Sequence, residues 1–153
     1  MIWIIMGIAL ILFLWLLYGY SMNFFLKTEN YTINSPRIAK SVLLADLHSA
    51  SFGKKNEKLI RMIDKESPDL ILMAGDMVVK NGKKLCVTKE FLTALSNKYP
   101  VYYSPGNHEI RMPDYEEYKN FLTDLGITYL ENEQVYLPEY DLTITGLDLP
   151  EYY

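Results

Sequence analysis

Apolar positions follow two regimes along this chain. From Ile2 to Tyr20 they run almost unbroken, reading IWIIMGIALILFLWLLYGY. About 20 apolar residues at a rise of 1.5 Å form a helix roughly 30 Å long, the hydrocarbon thickness of a bilayer. Trp3 lies near one end, and Trp15, Tyr18 and Tyr20 near the other, which resembles an interfacial aromatic belt. No Lys or Arg precedes the run, and Gly19 and Ser21 are the only small pair near its end, so a retained anchor over residues 1–26 is expected rather than a cleaved signal. Lys27, Arg37 and Lys40 follow it, too few charges to fix which side of the membrane the rest occupies.

After a linker at residues 27–36, with Tyr31 to Ile33 suited to an edge strand, the pattern turns periodic. Val42 to Ala45 is a short apolar run that predicts a strand buried on both faces. Asn56 is placed to cap a helix carrying Leu59, Ile60 and Ile63, which Pro68 stops. Leu70 to Met73 predicts a second strand, Leu85, Leu92 and Leu95 a second helix, and Val101 to Tyr103 a third strand. Asp114 caps a third helix with Tyr115, Tyr118, Phe121, Leu122 and Leu125 on one face, and Gly126 ends it. Short strands follow at Thr128 to Leu130 and Leu142 to Thr145. Alternating strand and helix predict an α/β fold with a parallel sheet over residues 37–153.

Charge sharpens this division. All 15 basic and 19 acidic residues lie beyond Leu26, and the net charge of -4 argues against a non-specific nucleic-acid binder. A single Cys excludes an internal disulfide framework, and two His exclude a His-rich metal site, so any metal chemistry must lean on Asp and Asn.

In parallel sheets, ligands collect beyond the carboxyl ends of the strands. There the sequence places Asp46-Leu47-His48, Gly75-Asp76 and Gly106-Asn107-His108-Glu109. Each motif alone reads as a turn or cap. Together they bring both His of the chain, the carboxylates of Asp46 and Asp76 and a carboxamide to one sheet edge. That donor mixture suits a pair of divalent cations, manganese, iron or zinc rather than calcium. Asp76 is the natural bridge between them, Asp46 and His48 can share the first, and Asn107 offers a neutral oxygen to the second. Such a pair lowers the pKa of bound water and clamps the oxygens of a phosphoryl group. His108 is left to protonate the leaving alkoxide or to steady the charged transition state.

The segments LLADLHS, DLILMAGD and YYSPGNHE, in this order, resemble the calcineurin-like metallophosphoesterases, most of all bacterial members with an N-terminal membrane anchor. The resemblance runs from about Tyr31 to the end of the chain. It implies a four-layer α/β/β/α sandwich with Asp46 and His48 on the first metal, Asp76 bridging, Asn107 on the second and His108 as catalytic acid. The family pattern adds later His ligands, ending in Gly-His-x-His, and often another Asp after the Gly-Asp. This chain has no His beyond His108 and carries Val79 and Lys80 at the second place. It is therefore read as an anchor plus the first half of the domain, with weak metal binding and little turnover expected.

The reading is a membrane-anchored, single-pass phosphoesterase acting on phosphate esters, with the lipid bilayer as partner through residues 2–20 and no nucleic acid specifically indicated. The alternatives are a non-catalytic membrane-anchored remnant and a phosphate-ligand-binding module of the same fold. Of the remaining residues, Cys86 reads as a small buried hydrophobe, Lys54, Lys55 and Lys58 as a solvated helix start able to steer anions, and Glu109 as a hydrogen-bonding residue behind the site. Asp114, Glu116 and Glu117 suit the dipole of a helix N-terminus.

Overall fold

The computed structural model describes residues 2–22, 26–34 and 39–147. The chain divides into two compact units, Met1–Thr32 and Ile33–Tyr153. In the first, helix α1 (Ile2–Met22) is long and apolar enough to cross a membrane, and none of its Ile2–Gly19 stretch is buried within the protein. Tyr31 and Ile33 lie in irregular, exposed chain and not in the edge strand expected there. Among the described residues no strand pairs with them, so their β-branched and aromatic character stays unused.

The second unit is mixed α/β, as the alternation predicts. Its strands are β1 (Ser41–Leu44), β2 (Leu70–Ala74), β3 (Val101–Ser104) and β4 (Thr128–Tyr129), all parallel and in the order β1-β2-β3-β4. Helices α2 (Glu57–Glu66), α3 (Leu85–Ser96) and α5 (Tyr115–Asp124) provide the crossovers. Strands laid down in sequence with right-handed crossovers put successive helices on one face of the sheet.

The register agrees. Val42, Ile71 and Val101 align across β1–β3, as do Leu44, Met73 and Tyr103, with Tyr129 of β4 beside Tyr103. Ile71, Met73, Val101 and Tyr103 are buried, together with Leu59 and Ile63 of α2, Phe91, Leu92 and Leu95 of α3, and Tyr118 and Leu122 of α5. The alternate row of Leu43, Leu72, Tyr102 and Thr128 faces the other way, and Leu43 is 65% exposed. The expectation that the first strand is buried on both faces is therefore corrected. A run of consecutive apolar residues does not say whether one face or both are covered.

An antiparallel pair, β5 (Glu133–Leu137) and β6 (Leu142–Gly146), follows β4. β6 matches an expected strand, whereas the mixed composition of β5 gave no comparable signal. Past β6, the Leu147 carbonyl accepts a hydrogen bond from Ser104 at 3.2 Å, tying the hairpin's end to the carboxyl end of β3.

Three local expectations are revised. Cys86 lies on α3 as expected but is exposed. Asn56 and Asp114 occupy N-cap positions, yet neither makes a side-chain cap bond. Asn56 is fully buried, and its Oδ1 accepts the Phe52 N–H at 2.7 Å, so it closes the loop before α2 instead.

The core beneath β3 is built of tyrosines. Tyr103 stacks on Tyr129 at 5.7 Å and donates to Glu109 at 2.7 Å. With its proton committed, Tyr103 accepts from Tyr118 at 3.3 Å. Burial raises the pKa of Tyr103 well above its ordinary value, and Tyr118 and Glu109 add to this. Burial likewise raises Tyr118 and Tyr129. Unfolded tyrosines lose their protons near about pH 10 while these stay protonated, so the folded state then binds more protons. Their contribution is fully present below about pH 10 and is lost as pH rises toward the folded values. Above about pH 10 stability of the full chain in detergent should therefore fall as pH rises, by up to about 1.4 kcal/mol per pH unit for each tyrosine. Urea midpoints taken across this range check it, and Tyr118→Phe should reduce the slope by about a third.

Candidate metal centre

The three loops beyond β1, β2 and β3 meet at one edge of the sheet. The first is stitched to the second through the backbone: Asp46 N–H donates to the Gly75 carbonyl at 3.2 Å, His48 N–H to Asp76 at 2.9 Å, and Ser49 N–H to Met77 at 2.9 Å. To make these bonds, the chain turns out of the strand direction into left-handed backbone, with φ of 54° at Asp46, 47° at His48 and 54° at Asp76. Such non-glycine conformations are strained, by about 1–3 kcal/mol each, and collect where surrounding structure holds a functional side chain in place.

The second and third loops are pressed together by two glycines. Gly75 has φ +75°, and a Cβ there would lie 2.6 Å from the backbone of Gly106. A Cβ on Gly106 would in turn strike Asp76, with the backbone nitrogen 2.5 Å away. Only glycine at both places lets the loops approach closely enough for the Asp76 Oδ1 to accept the His108 N–H at 2.9 Å.

Glu109 locks this arrangement from behind. It is fully buried in the single-turn helix α4 (Asn107–Ile110). Its Oε1 accepts from Met77 N–H at 2.7 Å, Val78 N–H at 3.2 Å and the Tyr103 hydroxyl at 2.7 Å. Its Oε2 accepts from Asp76 N–H and Gly106 N–H, both at 2.9 Å. Five donors and no acceptor face it, the set that suits an ionised carboxylate. The expected place of Glu109 behind the site agrees with this geometry.

In front, His48, Asp76 and His108 each offer one ligand-type atom, all within 4.8 Å of one another. Ligands on opposite sides of one ion at about 2.1–2.2 Å would be roughly 4.4 Å apart, so small side-chain movements would bring His48 and Asp76 onto one cation with His108 beside them. A carboxylate oxygen with imidazole nitrogens is a donor set that fits a first-row divalent metal. The two imidazoles meet edge to face at 4.5 Å. Asp46, whose side chain is 74% exposed, has Oδ1 3.6 Å from the His48 Nε2, and so reaches the cluster through His48. Asn107 and Asp76 line one cleft of about 540 Å³ with Ala74, Pro105, Gly106, Arg111 and Leu147. The sequence-derived residues thus gather at one edge, with His108 closer to His48 and Asp76 than its assignment outside the ligand set required.

The environment of His108 limits what it can do. Its Nδ1 accepts the Lys80 backbone N–H at 3.1 Å. A neutral imidazole carries one proton, so here it resides on Nε2 and makes that nitrogen a donor rather than a metal ligand. Arg111 was not singled out from the sequence. Its place four residues after Asn107 is the only signal the sequence carries for it.

Comparison with known proteins agrees with the fold. The chain is 32% identical over 116 residues to an uncharacterized metallophosphoesterase of Helicobacter pylori, covering 72% of this chain and 30% of that protein. It is 27% identical over 138 residues to one of Aquifex aeolicus, covering 86% and 52%. A Danio rerio protein described as a transmembrane protein with metallophosphoesterase domain is 28% identical over 102 residues, covering 64% and 23%. The chain thus spans about half or less of the length of these curated relatives. The calcineurin-like phosphoesterase family model matches residues 39–150. By that match, which takes in all three site loops, the chain belongs to the calcineurin-like phosphoesterase family.

Proposed function

We propose that this protein is a membrane-anchored, metal-dependent hydrolase of phosphate esters. The observation that carries the reading is the meeting of His48, Asp76 and His108, whose ligand-type atoms lie within 4.8 Å of one another, with Asp76 also lining a cleft together with Asn107. Asp46 and His48 would hold one divalent ion, Asp76 would bridge, and Asn107 would contact a second. When bound, manganese, iron or zinc in this place would supply an acidified water and a clamp on phosphoryl oxygens.

The chain's own groups do the rest. Asp76 is oriented by the His108 N–H on its Oδ1 and by Glu109 holding its backbone. With the His108 Nδ1 taken by Lys80, its Nε2–H is the group left to serve the cluster. Transfer of a whole proton would need an imidazolium, whose Nδ1–H would confront the Lys80 N–H. Of the two roles open to it, His108 therefore serves as a neutral hydrogen-bond donor that steadies charge on a phosphoryl or leaving oxygen. The α1 helix, apolar on every side, anchors the chain in the bilayer as a single pass.

The test uses the full chain in detergent, with Mn2+ uptake followed by the free-ion electron paramagnetic resonance signal. Asp76→Asn should weaken uptake at least about tenfold, in keeping with the loss of a ligand. Slow, Mn2+-dependent hydrolysis of an aryl phosphate should fall to background in the same variant. Undiminished uptake or turnover in Asp76→Asn would remove the bridging carboxylate from the scheme.

A further inference from the structure

We propose that Arg111 is a phosphate-clamping residue, pairing its guanidinium with the non-bridging oxygens of the substrate's phosphoryl group. This rests on the metal-dependent reading given above. The single turn of α4 and the two residues after it, Arg111 at the C-cap and Met112, divide by direction. Glu109 and Met112, three apart, are 0% and 4% exposed and face the core. Asn107 and Arg111, four apart, both line the cleft that holds Asp76. His108, between them, reaches the cluster with His48. The turn and its C-cap thus bring a carboxamide, an imidazole and a guanidinium to the same edge, while the buried Glu109 and Met112 anchor the segment.

Among the described residues lining the cleft, Arg111 is the cation. The others are Asp76, Asn107, two glycine or proline positions of the third loop, and the apolar Ala74 and Leu147. A phosphate entering beside Asp76 meets a carboxylate of its own sign. A planar guanidinium offsets that repulsion and can grip two oxygens at once, which a lysine ammonium cannot. A phosphoryl group with at least two non-bridging oxygens is the ligand this pairing selects.

The experiment titrates Mn2+ into the full chain in detergent, then titrates inorganic phosphate into the Mn2+-loaded chain and follows 31P line broadening. Arg111→Ala should weaken phosphate about tenfold or more, the range of a lost charge-assisted pair, and leave Mn2+ affinity within about twofold. Arg111→Lys, keeping the charge without the fork, should fall between the two. The exposed position of Arg111 makes loss of fold an unlooked-for result, and an unchanged urea midpoint records that. Phosphate binding by Arg111→Ala within about twofold of the parent, or no phosphate bound by the loaded parent, would overturn the clamp alone. Parallel loss of Mn2+ and phosphate would assign Arg111 to structure and overturn it too. A parent chain that takes up no Mn2+ would overturn the metal-dependent reading, and the clamp with it.

Discussion

Replacing Glu109 by Ala should destabilise the Ile33–Tyr153 unit by at least about 3 kcal/mol and abolish metal uptake, because it leaves several buried donors without an acceptor at about 1–3 kcal/mol each. Four of the five donors are backbone N–H groups of Asp76, Met77, Val78 and Gly106, which no rotamer change can redirect. The fifth is the Tyr103 hydroxyl, which carries Tyr118 behind it. Losing the carboxylate therefore releases the second and third loops from each other and unsettles the tyrosine core together. Glu109→Gln is also expected to be harmful. Either orientation of its amide turns an NH2 group toward backbone donors, at Asp76 and Gly106 in one case or at Met77 and Val78 in the other. It retains one acceptor oxygen, so its urea midpoint should lie between those of Glu109→Ala and the parent.

Gly106→Ala tests the other half of the clamp, the approach of the loops. The new Cβ would meet the Asp76 backbone nitrogen at 2.5 Å, well inside contact distance, and the carboxyl group of the same residue. The backbone there is extended, so no penalty comes from φ; the whole effect is steric. Both neighbours belong to Asp76, so relief requires Asp76 to retreat from His108. A destabilisation of about 3 kcal/mol is expected, the upper range for overpacking. Mn2+ affinity should fall at least about tenfold, since the carboxylate proposed to bridge the ions moves. Gly82→Ala serves as the comparison. Gly82 has φ +66° but nothing within 4 Å of its would-be Cβ. Its replacement should show the conformational penalty alone, about 1–2 kcal/mol, with Mn2+ uptake unchanged.

Much of the site was legible because its chemistry sits in loops that follow strong apolar runs. Leu70 to Met73 and Val101 to Tyr103 lie within observed strands, and the residues after them are where a parallel sheet presents ligands. The left-handed backbone at Asp46, His48 and Asp76 was not legible, since these residues carry no glycine-like signal for it. It arises from backbone bonds between loops far apart in sequence, such as His48 to Asp76. Cys86 misled for a related reason. A helix fixes which residues share a face, but packing decides which face is inside, and Thr88, not Cys86, turns inward to meet Ser49 at 3.0 Å. β5 was hidden because a half-exposed hairpin strand reading Glu-Gln-Val-Tyr-Leu alternates too briefly to stand out. Arg111 was overlooked because a lone surface arginine acquires meaning only when the cleft around it is known.

The measurement closest to the centre of these conclusions is anomalous diffraction at the manganese edge from crystals of the full chain grown with Mn2+. Two peaks that share Asp76 are expected, one also touching Asp46 and His48 and the other Asn107, with the His108 Nε2 outside both coordination shells. Peaks placed away from these side chains, or His108 bound directly to manganese while Asp76 stands apart, would contradict the bridging role of Asp76 and the donor role of His108.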